Sequence, residues 1–439
     1  MDDAITPASR GLSERLRSRG QGARGRPKRY RAGGILRRSP MARSKRLALR
    51  QRFNLYLVAG SGGQRLPHKG HSGRSIPIDS QACALSRRLR TSPASALLDR
   101  RAAGTVPAVS PGEVSRAGWP PELLGVFERA ITCEYASLTR DGAPVTVPIT
   151  PYIGQGSIDV STGLTYPAKA ERARRNPKVA LLFADAIGAG TSAAPVVLVQ
   201  GHAAVRDADL QLNTDRYVRS SMIKLPASFK GQPKALLRRL AFYYARIWIE
   251  TVPLRIRWWP DRDLAQQPRE WRADPALALP ESDPAPPGRQ PPAWLNPPQG
   301  WREVAARALQ VLPLADLTVV DAEGYPVCMP VTAGALEGEE VPLQIGSGAP
   351  ESPAGPACLT VHGHDEQFTT QENHTLMGTL VHGAEGSRLQ VERALADWSL
   401  TGNRVQITIG FLRKGRRLAP RLKTEAARRG QPVPTINLP

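Results

Sequence analysis

The chain has 439 residues, enough for two or three domains of about 100–200 residues each, and a formal net charge of +22. Such a charge ordinarily points to nucleic acid, but residues 1–101 carry 24 Lys and Arg against 5 Asp and Glu, leaving a near-neutral 36 against 33 for the rest. Four scattered cysteines, Cys83, Cys133, Cys328 and Cys358, exclude a disulfide framework and point to reduced thiols in a cytoplasmic protein, and no apolar run approaches the roughly 20 residues of a membrane span.

Residues 1–105 are rich in Arg, Ser and Gly and show neither helical nor strand periodicity, so a disordered basic segment is expected. Leu55–Ala59 is too short for the apolar part of an export signal, despite Arg37-Arg38. Two readings of the segment stay open. A nucleic-acid arm would need interleaved aromatics, and only Tyr30, Phe53 and Tyr56 are present. The other reading, which we favour, is a start assigned too early, with Met41 as an internal candidate.

From Pro120 the pattern changes. Pro120-Pro121-Glu122 ahead of Leu123, Leu124, Val126 and Phe127 predicts a short helix. Cys133–Thr139 and Pro144–Thr150, joined by Asp141-Gly142, read as a hairpin. Further strands are expected at Ser157–Ser161, Val179–Phe183 and Val196–Val205. Tyr166–Pro177 reads as about three turns of helix ended by Asn176-Pro177, Leu210–Ile223 as a helix capped by Asp207 or Asp209, and Gln232–Ala241 as another. Ala245–Thr251 and Arg255–Trp259 read as two strands around Val252-Pro253.

Eleven prolines within residues 260–298 predict a semi-extended linker. Beyond it the pattern recurs: Leu317–Val320, a turn at Glu323-Gly324 and Pro326–Val331 mirror the first hairpin. Asn403–Ile407 is matched to Ala245–Ile249. A duplicated domain is the resulting description.

The order Asp141-Gly142, Pro148-Ile149, Ser161-Thr162, Lys169, Asn176-Pro177-Lys178-Val179 and Gln200-Gly201 resembles the split barrel of the pyridoxamine 5'-phosphate oxidase-like flavoproteins. The resemblance spans about residues 122–260 well and 301–415 loosely. It implies a mostly β fold with short helices: two tandem split β-barrels, the second degenerate, at residues 108–262 and 299–430, joined by a Pro-rich linker at 263–298. It further implies an FMN cofactor, with a deazaflavin or heme as alternatives, and an intramolecular pseudo-dimer of the barrels that leaves homodimerisation optional.

Ser161 and Thr162 close a strand before a helix whose N-terminus favours an anion, and Lys169 and Arg172 share a face of that helix. Those cations either bind the FMN phosphate, as the resemblance implies, or solvate a surface helix. By the same resemblance Pro148, Ile149 and Thr150 line the flavin ring; barrel packing explains them equally. Gln200 either bonds the flavin edge or ends a strand, and Trp258 and Trp259 stack on a ring or cover a barrel mouth. In the second copy a Pro/Gly loop, Gly346–Pro356, replaces the cationic helix, so no phosphate site is expected there.

His362, His364, His374 and His382 cluster in that copy, and His362 and His364 share a strand face. No acidic or cysteine partner stands at ligand spacing, so no metal site is expected. With no nucleophile arrangement visible, catalytic residues stay unassigned. The expected function is an FMN- or deazaflavin-dependent oxidoreductase acting on a small molecule, without nucleic acid or membrane; a non-catalytic flavin or heme binder is the alternative.

Overall fold

The computed structural model describes residues 118–438 apart from 186–193, 231, 293–299, 367, 396–398 and 403; the basic segment 1–105 lies outside the described residues. Helix α1 (Pro121–Arg129) starts with proline and buries Leu123, Val126 and Phe127. Strands β1 (Cys133–Leu138) and β2 (Pro144–Ile149) form the expected hairpin, turning at Gly142 with φ of +82°, a backbone conformation that costs glycine nothing. After β3 (Tyr152–Ile153) and β4 (Ile158–Gly163) comes helix α2 (Ala168–Arg175), shorter than expected because Pro167 is its N-cap and Asn176 its C-cap.

Strands β5 (Lys178–Phe183) and β6 (Val196–Arg206) follow, and the pairing of β6 with the later strand at residues 246–259 shifts between Gln200 and Gly201, which face Arg255 and Pro253. A Cβ on Gly201 would meet the Val252 carbonyl oxygen at 2.6 Å, so this register shift needs glycine. Helix α3 (Leu210–Lys224) is capped by the Asp209 side chain, which accepts from Leu212 N at 2.8 Å. A short α4 (Pro226–Phe229) follows, and the helix expected over Gln232–Ala241 is only α5 (Lys234–Arg238), with α6 (Ala241–Tyr244) starting at its end.

Strand β7 (Arg246–Trp259) runs unbroken through Val252-Pro253, where two strands were expected, because a bulge at Leu254 of β7 itself takes up the irregularity at proline. The Pro-rich stretch is no free spacer. Its β8 (Arg269–Arg272) pairs with β7, Ser282 Oγ accepts from Val205 N at 3.0 Å, and Asp283 accepts from Asp207 N at 2.7 Å.

Helix α7 (Trp301–Val311) leads into the second sheet, made of β9 (Leu314–Val320), β10 (Pro326–Pro330), β11 (Thr332–Ala333), β12 (Glu340–Gln344), β13 (Gly355–His364), β14 (Gln371–Gly383) and β15 (Gly386–Ala394). The first sheet is ordered β2-β1-β5-β6-β7-β4-β3 and the second β10-β9-β13-β14-β15-β12-β11. The two permutations are identical, so the chain is an internal duplication of a split barrel. The partner of β7 is therefore β15, and matching Asn403–Ile407 to Ala245–Ile249 was wrong. Residues Arg404–Arg428 form helix α8 instead, and its Leu418, Leu422 and Ala426 pack into the first barrel's core. The alternation of Val405, Ile407 and Ile409 mimics a strand, but the helical spacing beyond it decides the outcome.

Both faces of the sheet region β1–β5–β6 are buried. Along β5, Val179, Leu181 and Phe183 enter the first barrel's interior, while Ala180 and Leu182 join a second apolar cluster with Leu317, Val327 and Leu359 of the second barrel. At the seam, Thr146 Oγ1 lies 2.7 Å from Thr318 Oγ1, and Thr360 and Thr375 both donate to the Thr146 carbonyl. Cys133, Cys328 and Cys358 are buried free thiols.

Candidate functional site

A cavity of 430 Å³ opens where the end of β4, the start of α2, the edge of β2 and the start of β7 converge, with β14 and α8 closing it. This is within the usual range for small-molecule sites. Pro148, Ile149, Thr150, Ser161, Thr162, Lys169 and Arg172 all line it. Local rules bring them there: β2 presents its rim, β4 ends on Ser161-Thr162-Gly163, and Pro167 turns the chain so that the first turn of α2 faces the space.

Electrostatics give the cavity its character. Lys169, Arg172, Arg246, Lys414 and Arg417 line it, and no acidic residue does among the described residues. Lys169 is half-buried and makes no hydrogen bond or ion pair with them. Loss of solvent, then the charges of Arg172 and Arg246, push its ammonium down to about 7. Arg172 donates from Nε to Ser137 Oγ at 2.9 Å, and burial lowers it to about 10. Arg246, opposite Gly163 in the β4–β7 ladder, lies 3.8 Å from the centre of the Tyr217 ring and 4.7 Å from that of Tyr243; its Nε is buried without a hydrogen-bond partner. The buried phenol of Tyr243, which accepts from Tyr217 at 3.3 Å, is held well above its ordinary value by desolvation. Thr162 donates to the Tyr166 carbonyl at 2.9 Å, so its hydroxyl hydrogen is already engaged.

Gln200 is not part of this cavity. Its amide donates to Asp321 Oδ2 at 2.8 Å and to the Pro326 carbonyl at 3.2 Å, fastening the first barrel to the hairpin turn of the second. Gln200 shares a face of β6 with Val196 and Leu198, which look toward the second barrel, so a flavin-edge role for Gln200 is corrected to an inter-barrel contact. Trp258 belongs to the first barrel's core and Trp259 to the cluster between barrels, where its indole N–H donates to the Gln266 carbonyl at 3.0 Å.

Sequence reasoning missed the far wall. Gln371, Asn373 and Thr375 alternate along β14 and so present one face to the cavity, beside Phe368. Their polar alternation was a usable signal, but the surface they would meet was not readable. Arg246 was noticed only as a repeat marker, and Lys414 and Arg417 were assigned to no helix. The second barrel carries no helix between β12 and β13 among the described residues, as its Pro/Gly loop implied.

Fold and cavity together define a tandem split-barrel protein with a cationic cavity bordered by both barrels. The chain is similar to solved structures of the pyridoxamine 5'-phosphate oxidase-like family. One is a protein related to general stress protein 26, of the pyridoxinephosphate oxidase family, from Clostridium acetobutylicum (10% identity over 37% of this chain and 96% of that one, TM-score 0.25). Another is an F420 reductase (17% identity, 31% and 98% covered, TM-score 0.25). A third is the heme storage protein HutZ from Vibrio cholerae (15% identity, 30% and 88% covered, TM-score 0.22). No family model and no curated protein matches the chain.

Proposed function

We propose that the cavity binds a flavin-type cofactor with an anionic tail, FMN or a deazaflavin, and that the chain is an oxidoreductase acting on a small molecule. The observation that carries this reading is the unpaired Lys169 beside Arg172 and Arg246, in a cavity that no acidic residue lines among the described residues. Holding the Lys169 ammonium beside two guanidinium groups and away from solvent is costly, and a dianionic phosphate reverses that cost. Lys169, Arg172 and the free N–H groups opening α2 would hold the phosphate, with Ser161 adding a hydroxyl.

When bound, the cofactor supplies hydride or electron transfer. The chain's own residues do the rest. Val147, Pro148 and Ile149 give the ring an apolar border, and Tyr217 and Tyr243 fix Arg246 by stacking, so that its charge points at the site without an acidic partner. Tyr243 stays protonated at neutral pH, so it adds no negative charge beside Arg246. Among the described residues no histidine, cysteine or methionine lines the cavity, so of the usual heme ligands only tyrosine stands there.

A visible absorbance spectrum of the purified full chain, followed by titration with FMN, deazaflavin and heme, tests the reading. A flavin or deazaflavin spectrum, or fluorescence quenching of added cofactor, is expected. A heme spectrum, or indifference to all three ligands, overturns it.

We further propose that the two barrels form an obligate intrachain pair that takes the place of a homodimer. A fragment of residues 108–262 would expose Ala136, Ala180, Leu182, Val196 and Leu198 together with Glu134 and Thr146. That fragment is expected to aggregate or self-associate on size-exclusion chromatography and to lose cofactor; a monomeric, cofactor-loaded fragment would count against the pairing.

A further inference from the structure

We propose that Glu134, Asp316 and His362 form a binding site for one divalent transition-metal ion, zinc foremost, at the seam between the barrels. The proposal is independent of the flavin reading, because none of the three lines the cavity.

Strand parity brings the three together. Glu134 shares a β1 face with Ala136, which looks toward the second barrel, while Asp316 on β9 and His362 on β13 sit on the faces that look back toward the first. Their exposures are 0%, 3% and 2%. His362 Nε2 lies 3.0 Å from Asp316 Oδ2 and 3.3 Å from Glu134 Oε1, and the three ligand atoms all fall within 4.8 Å of one another. Zinc–oxygen and zinc–nitrogen bonds of about 2.0–2.2 Å at tetrahedral angles place ligand atoms roughly 3.3 Å apart. The two spacings to His362 already match.

Glu134 supplies the second, independent observation. Both its carboxylate oxygens are buried without a hydrogen-bond partner, although one of them is aimed at the imidazole. A single Nε2 hydrogen cannot serve two carboxylates, and Asp316 is the nearer. An ion solves both problems: two carboxylates neutralise a 2+ charge, neutral imidazole donates a lone pair, and a fourth position stays open to water. Binding would place the imidazole hydrogen on the other ring nitrogen and leave the Nε2 lone pair to the ion. The Asp185–His364 pair and the Cys328 thiol complete the titratable surroundings. The sequence concealed this set because its acidic partners come from other strands, one of them in the other barrel.

Since one ligand comes from the first barrel and two from the second, the ion would be captured as the barrels dock. The full chain should therefore be unfolded in guanidinium with EDTA, dialysed, and refolded with and without Zn²⁺. About one zinc per chain after exhaustive dialysis, with a raised thermal midpoint, is the expected result. Glu134→Gln should lose that zinc while keeping its FMN response, and Co²⁺ refolded into the wild-type chain should give ligand-field bands in a difference spectrum. Wild-type protein that retains no zinc and shows no midpoint shift overturns the proposal, as does unchanged zinc content in Glu134→Gln. If that variant fails to fold, His362→Gln and the wild-type cobalt spectrum decide between the same outcomes.

Discussion

Lys169→Ala should weaken FMN binding about 10- to 100-fold, the loss of one hydrogen bond to a charged group worth about 1.5–3 kcal/mol. The fold should survive, because alanine suits a helix. The pH dependence is the sharper test. With Lys169 near 7 in the free protein, FMN binding above that pH must take up a proton to recharge the ammonium beside the phosphate. The dissociation constant should therefore rise between pH 7 and 9, by up to about tenfold per unit for one proton taken up. Lys169→Ala should flatten that rise. Titration by flavin fluorescence quenching reads both effects; unchanged affinity in the variant removes the phosphate-site assignment.

The same residue opposes stability in the cofactor-free chain. Its folded value of about 7 lies below the ordinary 10.5, so between these limits the unfolded chain binds the proton more tightly and stability rises with pH. The cost is complete below pH 7 and fades toward 10.5. Lys169→Met should accordingly raise the thermal midpoint of the apoprotein at pH 7 and remove this part of its pH dependence while weakening FMN binding. Such a trade-off marks a residue retained for a ligand. A midpoint lowered by the methionine variant would contradict it.

Trp248→Ala should be the most damaging of the single substitutions considered for the first barrel, at about 3–5 kcal/mol for a large buried aromatic. Trp248 is fully buried on β7, its indole N–H donates to Asp159 Oδ2 at 2.9 Å, Arg216 lies 4.1 Å over its ring and Tyr152 packs at 5.1 Å. Asp159, itself buried, would keep Ser157 and Arg216 but lose one of its donors. Because Trp248 and Arg246 lie two apart on one strand face, loosening β7 also releases the guanidinium at the cavity, so FMN affinity should fall with stability. Trp248→Phe, which keeps most of the volume, should cost much less in chemical denaturation. Equal midpoints for the alanine variant and the wild type would refute the assignment of Trp248 as a keystone of this core.

The sequence by itself determined what depends on near neighbours. The Asp141-Gly142 turn and the alternation around it specify the first hairpin, and the turn at Gly324 repeats it with φ of +79°. Val179–Phe183 reads as apolar throughout because both faces of β5 are covered. Pro167 and Asn176-Pro177 bound the helix that carries Lys169 to the cavity, so that side of the site was legible from local signals. Only the tertiary structure decided what the docking of the barrels controls. It set Gln200 at the seam rather than at the cavity, brought Gln371, Asn373 and Thr375 across from the second barrel, and made the strand-like Asn403–Ile407 stretch the start of the helix Arg404–Arg428. It also gathered Glu134, Asp316 and His362 into one buried cluster. The physical reason is the same in each case: strand parity states that a side chain faces one side of its sheet, but which surface lies opposite is set by long-range burial of apolar area, which no local window of sequence contains.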